Sequence, residues 1–216
     1  MKFCAKSLLV TSAVVSLFAT SSVTANANPV PEQVLVMYEL AVTGDKSATK
    51  TAFEELSQLR ETAPRNTLVN AMLGSVETML ARDAWIPWKK LQYAEQGLNR
   101  MDKAIQAVDQ ADTNDLIFDG IPANIWIKTT VGCTFIEMPQ MFDRLASGYE
   151  LLASTIDSAQ TKDQSVAAVA PLFLCAGRAA KQSGDSEAAK KYLNELVSEA
   201  PKSSEASIAK DILIEL

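Results

Sequence analysis

The chain has 216 residues, with 20 basic against 26 acidic side chains and no histidine, a formal net charge of -6. That length is enough for one domain with a sizeable core. Its acidic balance argues against general nucleic-acid binding, which needs basic surface. The missing histidine removes Ser-His-Asp and Cys-His catalysis and every His-containing metal site.

The first residues read as a secretory leader. Lys2 and Lys6 form a short positive region, Leu8 to Ala19 is apolar but short for a bilayer span, and Ala25-Asn26-Ala27 is an A-x-A cleavage site. Cleavage after Ala27 leaves a mature region at 28–216, read as a single domain. Removing two lysines and no acid takes the charge from -6 to -8. The expected location is the periplasm. Cys4 precedes the apolar run, where a lipid-anchoring cysteine would follow it, so no lipid anchor is expected. No later apolar run of spanning length is free of charge, since Lys128 and Glu137 interrupt 121–138.

Helical spacing then predicts a series of helices. Pro31-Glu32 opens the first, with Val34, Leu35, Tyr38, Ala41 and Val42 on one side, and Gly44-Asp45 stops it. A second runs over 47–63 and ends at Pro64. A third covers 67–83. A fourth starts at Pro87 and carries a continuous stripe from Leu91 through Ala94, Leu98, Met101 and Ile105 to Val108. Gly97 inside it implies a close helix crossing, because an interior glycine otherwise costs about 1 kcal/mol. Residues 113–120 read as a linker. The fifth helix, 122–138, is apolar nearly all round and belongs near the centre. A sixth is expected over 140–158. The segment 161–183 is helical in composition but requires a kink or restart at Pro171. Helices over 186–200 and 203–216 follow. Ile208, Ile212 and Leu216 suit the last as a cap over the final apolar face.

Two stretches agree with each other. Ala52-x3-Leu56-x2-Leu59-x4-Pro64 matches Ala189-x3-Leu193-x2-Leu196-x4-Pro201, 137 residues apart. That offset is close to four units of a 34-residue repeat of stacked helix pairs. With Phe173, Ala176-Gly177, Ala180 and Leu73-Gly74 at the aromatic and small-residue positions of first helices, the chain resembles the tetratricopeptide repeat (TPR). The central stretch, including Trp85-Ile86-Pro87-Trp88-Lys89-Lys90, is similar to a group of exported bacterial TPR-like proteins of unassigned activity. The pattern departs from the family where 74–104 exceeds the unit spacing, and where Val36 and Phe173 replace the family's Trp. The resemblance implies an all-α, right-handed stack of antiparallel helix pairs, about eight or nine helices in all.

No dinucleotide, Walker, nucleophile-elbow or C-x-x-C motif occurs. The reading is therefore a non-catalytic interaction module that takes a peptide or protein partner in a helical groove. No cofactor, metal or nucleic acid is expected. The alternative is a helical carrier holding a small or lipid-like ligand in an apolar cavity among the third to sixth helices. A carboxylate and lysine enzyme would need Glu77, Asp83 and Lys128 to converge.

Candidate binding residues are Trp85, Trp88, Lys89 and Lys90 at the corner, and Tyr93, Arg100 and Lys103, which with Lys89 and Gln96 share a basic face of the fourth helix. Lys128 is a candidate groove residue, or else it pairs with an acid. The tryptophans are expected to be structural, with Trp88 plugging the joint between helices. Cys133 and Cys175 either form a disulfide, which an oxidising compartment permits, or pack as two free thiols.

Overall fold

The computed structural model describes residues 29–109 and 117–216. The leader, with its cleavage site, and most of the expected linker lie outside the described residues. Within them the fold is all-α apart from one minimal hairpin.

Ten α-helices follow in order among the described residues: α1 Glu32–Val42, α2 Lys46–Thr62, α3 Thr67–Asp83, α4 Pro87–Val108, α5 Ala123–Glu137, α6 Leu145–Asp157, α7 Ala159–Lys162, α8 Ala170–Gln182, α9 Ser186–Glu199 and α10 Ser204–Ile214. Short polar side chains start several of them. Asp45 Oδ1 accepts from the Ser47 and Ala48 amides at 2.8 and 2.9 Å, and Asn66 Oδ1 from Val69 at 2.9 Å. Asp185 and Ser203 cap α9 and α10 in the same way, each at 3.0 Å. Each such bond satisfies an amide the helix cannot reach. Gly44 and Gly184 adopt φ of 102° and 79° just after α1 and α8, a backbone conformation costly for other residues. None of the helices is long and apolar enough to cross a membrane among the described residues.

The helices associate as pairs: α1 with α2, α3 with α4, α5 with α6, and α8 with α9. The second helix of each pair also meets the first of the next, and α10 lies on α8 and α9. Three first helices carry a glycine at the point of closest approach. A Cβ on Gly132 would meet Leu152 Cγ at 2.6 Å, and one on Gly177 would meet Leu193 Cγ at 2.5 Å. At the third crossing, Gly74 faces Gly97 and Met101, and a Cβ on Gly97 would meet the Gly74 carbonyl oxygen at 2.6 Å. The close crossing expected from Gly97 is present. The small residue on each first helix lets the large side chain or backbone of its partner seat fully.

These crossings reveal an asymmetry. Gly132 and Gly177 each lie five residues before the end of their helix (137 less 132, 182 less 177), whereas Gly74 lies nine before Asp83. Four extra residues add about 6 Å, one helical turn, to the arm that leads to the α3–α4 corner.

α5 is central, in contact with α3, α4, α6 and α8. Its Trp126 packs against both halves of the core: one around Leu56, Leu68, Met72 and Met101, the other around Leu152, Leu172, Leu193 and Leu196.

Several expectations are corrected. Part of the expected linker pairs instead: β1 Ile117–Phe118 and β2 Ile121–Pro122 form an antiparallel ladder. Asp119 and Gly120, at φ 51° and 77°, make the turn that an Asp-Gly pair favours, and Phe118 packs edge-on against Trp126 at 4.8 Å. The sixth helix does not start at 140. A 3₁₀ turn at Gln140–Phe142 ends at Asp143, whose φ of 51° interrupts the helix before Leu145. Arg144 is held there by a bidentate pair with Asp102 at 2.8 and 2.9 Å. The restart expected at Pro171 is present: α8 begins at Ala170 with Pro171 in its first turn, where its missing N–H costs nothing. Ile212 and Leu216 pack against the second half of the core as expected, but the fully buried positions of α10 are Ala206 and Ala209, and Ile208 is exposed. The alanines let this helix lie close, and that rotation turns Ile208 outward.

Candidate functional site

The first helices of the pairs surround a hollow of about 1220 Å³. α5 gives it one wall through Trp126, Thr130, Cys133, Thr134 and Glu137, spaced as one helix face. α3 faces it with Ser75, Thr78, Met79 and Arg82, and α1 with Tyr38 and Val42. The first two turns of α4 supply Pro87, Lys90, Leu91 and Ala94. Met138, Pro139, Met141 and Phe142, Asp119 and Ile121 of the 117–122 segment, and the start of α8 add to the lining. The volume exceeds the 300–1,000 Å³ usual for a small-molecule pocket.

The lining is mostly apolar, and its polar groups are largely occupied. The Tyr38 hydroxyl donates to Ser75 Oγ at 3.0 Å. Thr78 and Thr134 hydroxyls donate to carbonyls of their own helices at 2.7 and 2.8 Å. Burial pushes the Tyr38 phenol up to about 12, against the smaller downward pull of the Ser75 and Thr130 hydroxyls. Arg82 donates to the Ala41 carbonyl at 3.0 Å and pairs with Asp83 at 2.8 Å. Burial tends to raise the Asp83 carboxyl, but the Arg82 hydrogen bond and charge, with Thr49 and Lys46, hold it below the usual carboxylate range. Glu137 pairs with Arg178 at 2.6 Å. The interior therefore offers mainly shape and apolar contact, with the exposed carboxylates of Glu39 and Asp119 also among the lining.

Cys133 and Cys175 are bonded, with Cα atoms 5.4 Å apart. Of the two readings open from sequence, the disulfide holds. It ties α5 to α8, two walls of the hollow, and so limits how far they separate.

The candidate residues disperse. Trp85 and Trp88 are not plugs: they are 87% and 71% exposed. The buried side of α4 is made by Ala94, Gly97, Leu98, Met101, Ala104 and Val108, and Trp88 lies on the far side of the helix from it. Lys89 is exposed, and Lys90 lines the hollow's edge while donating to the Arg82 carbonyl at 3.3 Å. The basic face of α4 is broken. Lys103 is exposed and Tyr93 half-buried, but Arg100 turns inward to clasp buried Glu77 through two 2.8 Å bonds. Lys128 pairs with Asp109 at 2.7 Å and takes no part in lining the hollow. Glu77, Asp83 and Lys128 thus have separate partners and do not converge. Among the described residues, no group of three or more His, Cys, Asp or Glu side chains is placed to hold a metal ion.

Sequence reasoning missed Tyr38, Ser75, Trp126 and the 138–142 segment as a single surface. A signal was present: Thr129, Thr130 and Thr134 on an otherwise apolar α5 mark the side turned to the hollow. No family model, curated protein or solved structure matches the chain.

Proposed function

We propose that this chain is a non-catalytic binding protein that holds a largely apolar, lipid-like ligand in the hollow among α1, α3, α4, α5 and α8. The observation that carries this reading is the hollow's size and mostly apolar lining, with Tyr38, Thr78 and Thr134 hydroxyls bonded within the protein and Arg82 and Glu137 in ion pairs. Such a lining favours cargo that needs to escape water rather than to be hydrogen-bonded. A TPR-like stack is the proposed architecture. The successive helix pairs support it, as do the glycines at 74, 132 and 177 on first helices. Export to an oxidising compartment fits the leader pattern and the Cys133–Cys175 bond.

The test uses the mature protein and N-phenyl-1-naphthylamine, an apolar fluorescent probe. Saturable uptake with one site per chain is expected. Thr134→Trp, which places a ring into the hollow from α5, is expected to weaken uptake at least tenfold while circular dichroism stays unchanged. Absence of saturable uptake, or uptake indifferent to Thr134→Trp, defeats the proposal.

A second reading is the peptide groove expected from the repeat resemblance. Its support is the open mouth, where Val42, Leu91 and Met141 line the hollow and are also exposed. An apolar peptide segment that displaces the probe where long-chain fatty acids do not would favour it.

A further inference from the structure

The α3–α4 corner combines three features that the hollow alone does not require. It stands on an arm one helical turn longer than those of the other glycine crossings. It presents two tryptophans, Trp85 at 87% and Trp88 at 71% exposure, far beyond what a core or a packed joint leaves open. It adds Lys89 and Lys90 on a chain whose net charge is -6. Leu91, one turn on from Trp88, is exposed and lines the hollow, so this corner is also a lip of its mouth. Across the mouth, Met141 is 75% exposed.

We propose that this corner is a membrane-docking lip: Trp85 and Trp88 sit in the interface of an anionic phospholipid bilayer while Lys89 and Lys90 meet its head groups. Indole rings prefer the interfacial region, where an apolar body and a polar N–H are both satisfied. Lysines beside them gain from the negative surface potential, and their alkyl stems lie along the apolar side. A bilayer accounts for the chemistry better than a protein partner does. The tryptophans ride on a projecting convex turn with cationic neighbours, an arrangement a planar charged interface accepts without a matching pocket. The overall negative charge limits attachment to this one face and keeps it reversible. Docked so, the mouth beside Leu91 opens at the lipid surface. The inference rests on the apolar-cargo reading only for what docking would accomplish, and its test contains no cargo.

Vesicle flotation with the mature protein tests it. Vesicles of phosphatidylglycerol and phosphatidylcholine are compared with phosphatidylcholine alone. The expected result is flotation with the anionic vesicles and a blue shift of tryptophan emission. Lys89→Gln with Lys90→Gln is expected to lower partitioning about 30-fold, from roughly fivefold per lysine. Trp85→Ser with Trp88→Ser is expected to lower it more than tenfold and to abolish the blue shift, leaving Trp126 as the remaining fluorophore. All four side chains are exposed or lie at the rim, so folding is preserved, and circular dichroism checks this. The proposal is overturned if the protein fails to float with anionic vesicles. It is equally overturned if the tryptophan pair floats as well as the parent, or if the corner cross-links to an envelope protein while vesicles are ignored. Probe uptake is read separately on the Trp85→Ser with Trp88→Ser variant, whose positions are outside the hollow's lining, so loss of docking with intact uptake distinguishes failure here from failure of the binding function.

Discussion

Replacing Gly97 by alanine sets two effects against each other. Intrinsic helix preference favours Ala over Gly by about 1 kcal/mol, so on α4 alone the substitution stabilises. The crossing opposes it. The new methyl would lie 2.6 Å from the Gly74 carbonyl oxygen, 2.8 Å from Thr78 Cγ2 and 3.0 Å from the Thr78 amide nitrogen. Two of these three obstacles are backbone, so relief requires α3 and α4 to move apart. That separation loosens Met101, Leu73 and Val76, all of them buried. Overpacking in cores costs about 1–3 kcal/mol and occasionally more. With rigid obstacles the upper part of that range applies, and a net loss of about 1–2 kcal/mol is expected. Urea unfolding followed by circular dichroism should show a lower midpoint at unchanged slope. Thermal unfolding should fall by about 2–8 °C for a chain of this size. Adding Thr78→Ser removes the Cγ2 obstacle but leaves the carbonyl, so it should restore little. A Gly97→Ala variant as stable as the parent or more so would refute the crossing as the reason for glycine here.

Two further outcomes follow from the buried polar groups. Removing Arg100 as Arg100→Met leaves Glu77 buried and unpaired, and should cost on the order of 2–3 kcal/mol, below the 3–5 of fully buried pairs because the Arg100 side chain is 21% exposed. The double variant Glu77→Met/Arg100→Met should recover most of that in equilibrium unfolding, and a double variant worse than the single would contradict the account. Tyr38 titrates near 12 when folded against a reference of 10.0, so the unfolded chain loses its proton first as pH rises. Stability from this group is whole below pH 10 and falls between about 10 and 12, by about 3 kcal/mol in total. Tyr38→Phe should flatten that part of the stability profile, and an unchanged alkaline slope would dismiss the role of Tyr38.

Much of the helical order was legible because local chemistry specifies it. Pro64 and Pro201 follow the ends of α2 and α9 as the spacing predicts, and Asp45, read from sequence only as a stop, caps the start of α2, as Asn66, Asp185 and Ser203 cap later helices. The internal match between α2 and α9 holds from the prolines backward. Measured from the capping aspartates the distances differ, 19 residues from Asp45 to Pro64 against 16 from Asp185 to Pro201. α2 thus carries three extra residues at its start, and the alignment slips there. Positions decided by a partner elsewhere in the chain were not legible. The spacing of Lys89, Tyr93, Gln96, Arg100 and Lys103 describes one helix face, but only the fold places Glu77 where Arg100 can turn in to meet it. Lys128 is likewise decided by Asp109. The Asp119-Gly120 hairpin is a different case, since its signal was local and was outweighed by the polar linker around it.

The tryptophans are the most instructive case, because arm length and helix face together set their exposure. A Trp at a helix corner plugs the joint when neighbouring pairs extend far enough to cover it. In the α5–α6 and α8–α9 pairs the crossing glycine is five residues from the end of the first helix; the α5–α6 corner leaves Met141 75% exposed beside the hollow, and the α8–α9 corner is the polar Gln182-Ser183-Gly184-Asp185 turn. In α3 the distance is nine, and residues 87–92 of α4 are all exposed. The additional turn carries the corner past the crossing, where Arg82 still reaches the Ala41 carbonyl at 3.0 Å but Trp85 and Trp88 find no cover. It also brings Pro87, Lys90 and Leu91 up beside the hollow as its edge. One local elongation therefore produces both the unusual aromatic surface and the lip of the cavity. A corner shortened by one turn would lose the two together, and that coupling is why docking and binding are assigned to the same end of the molecule.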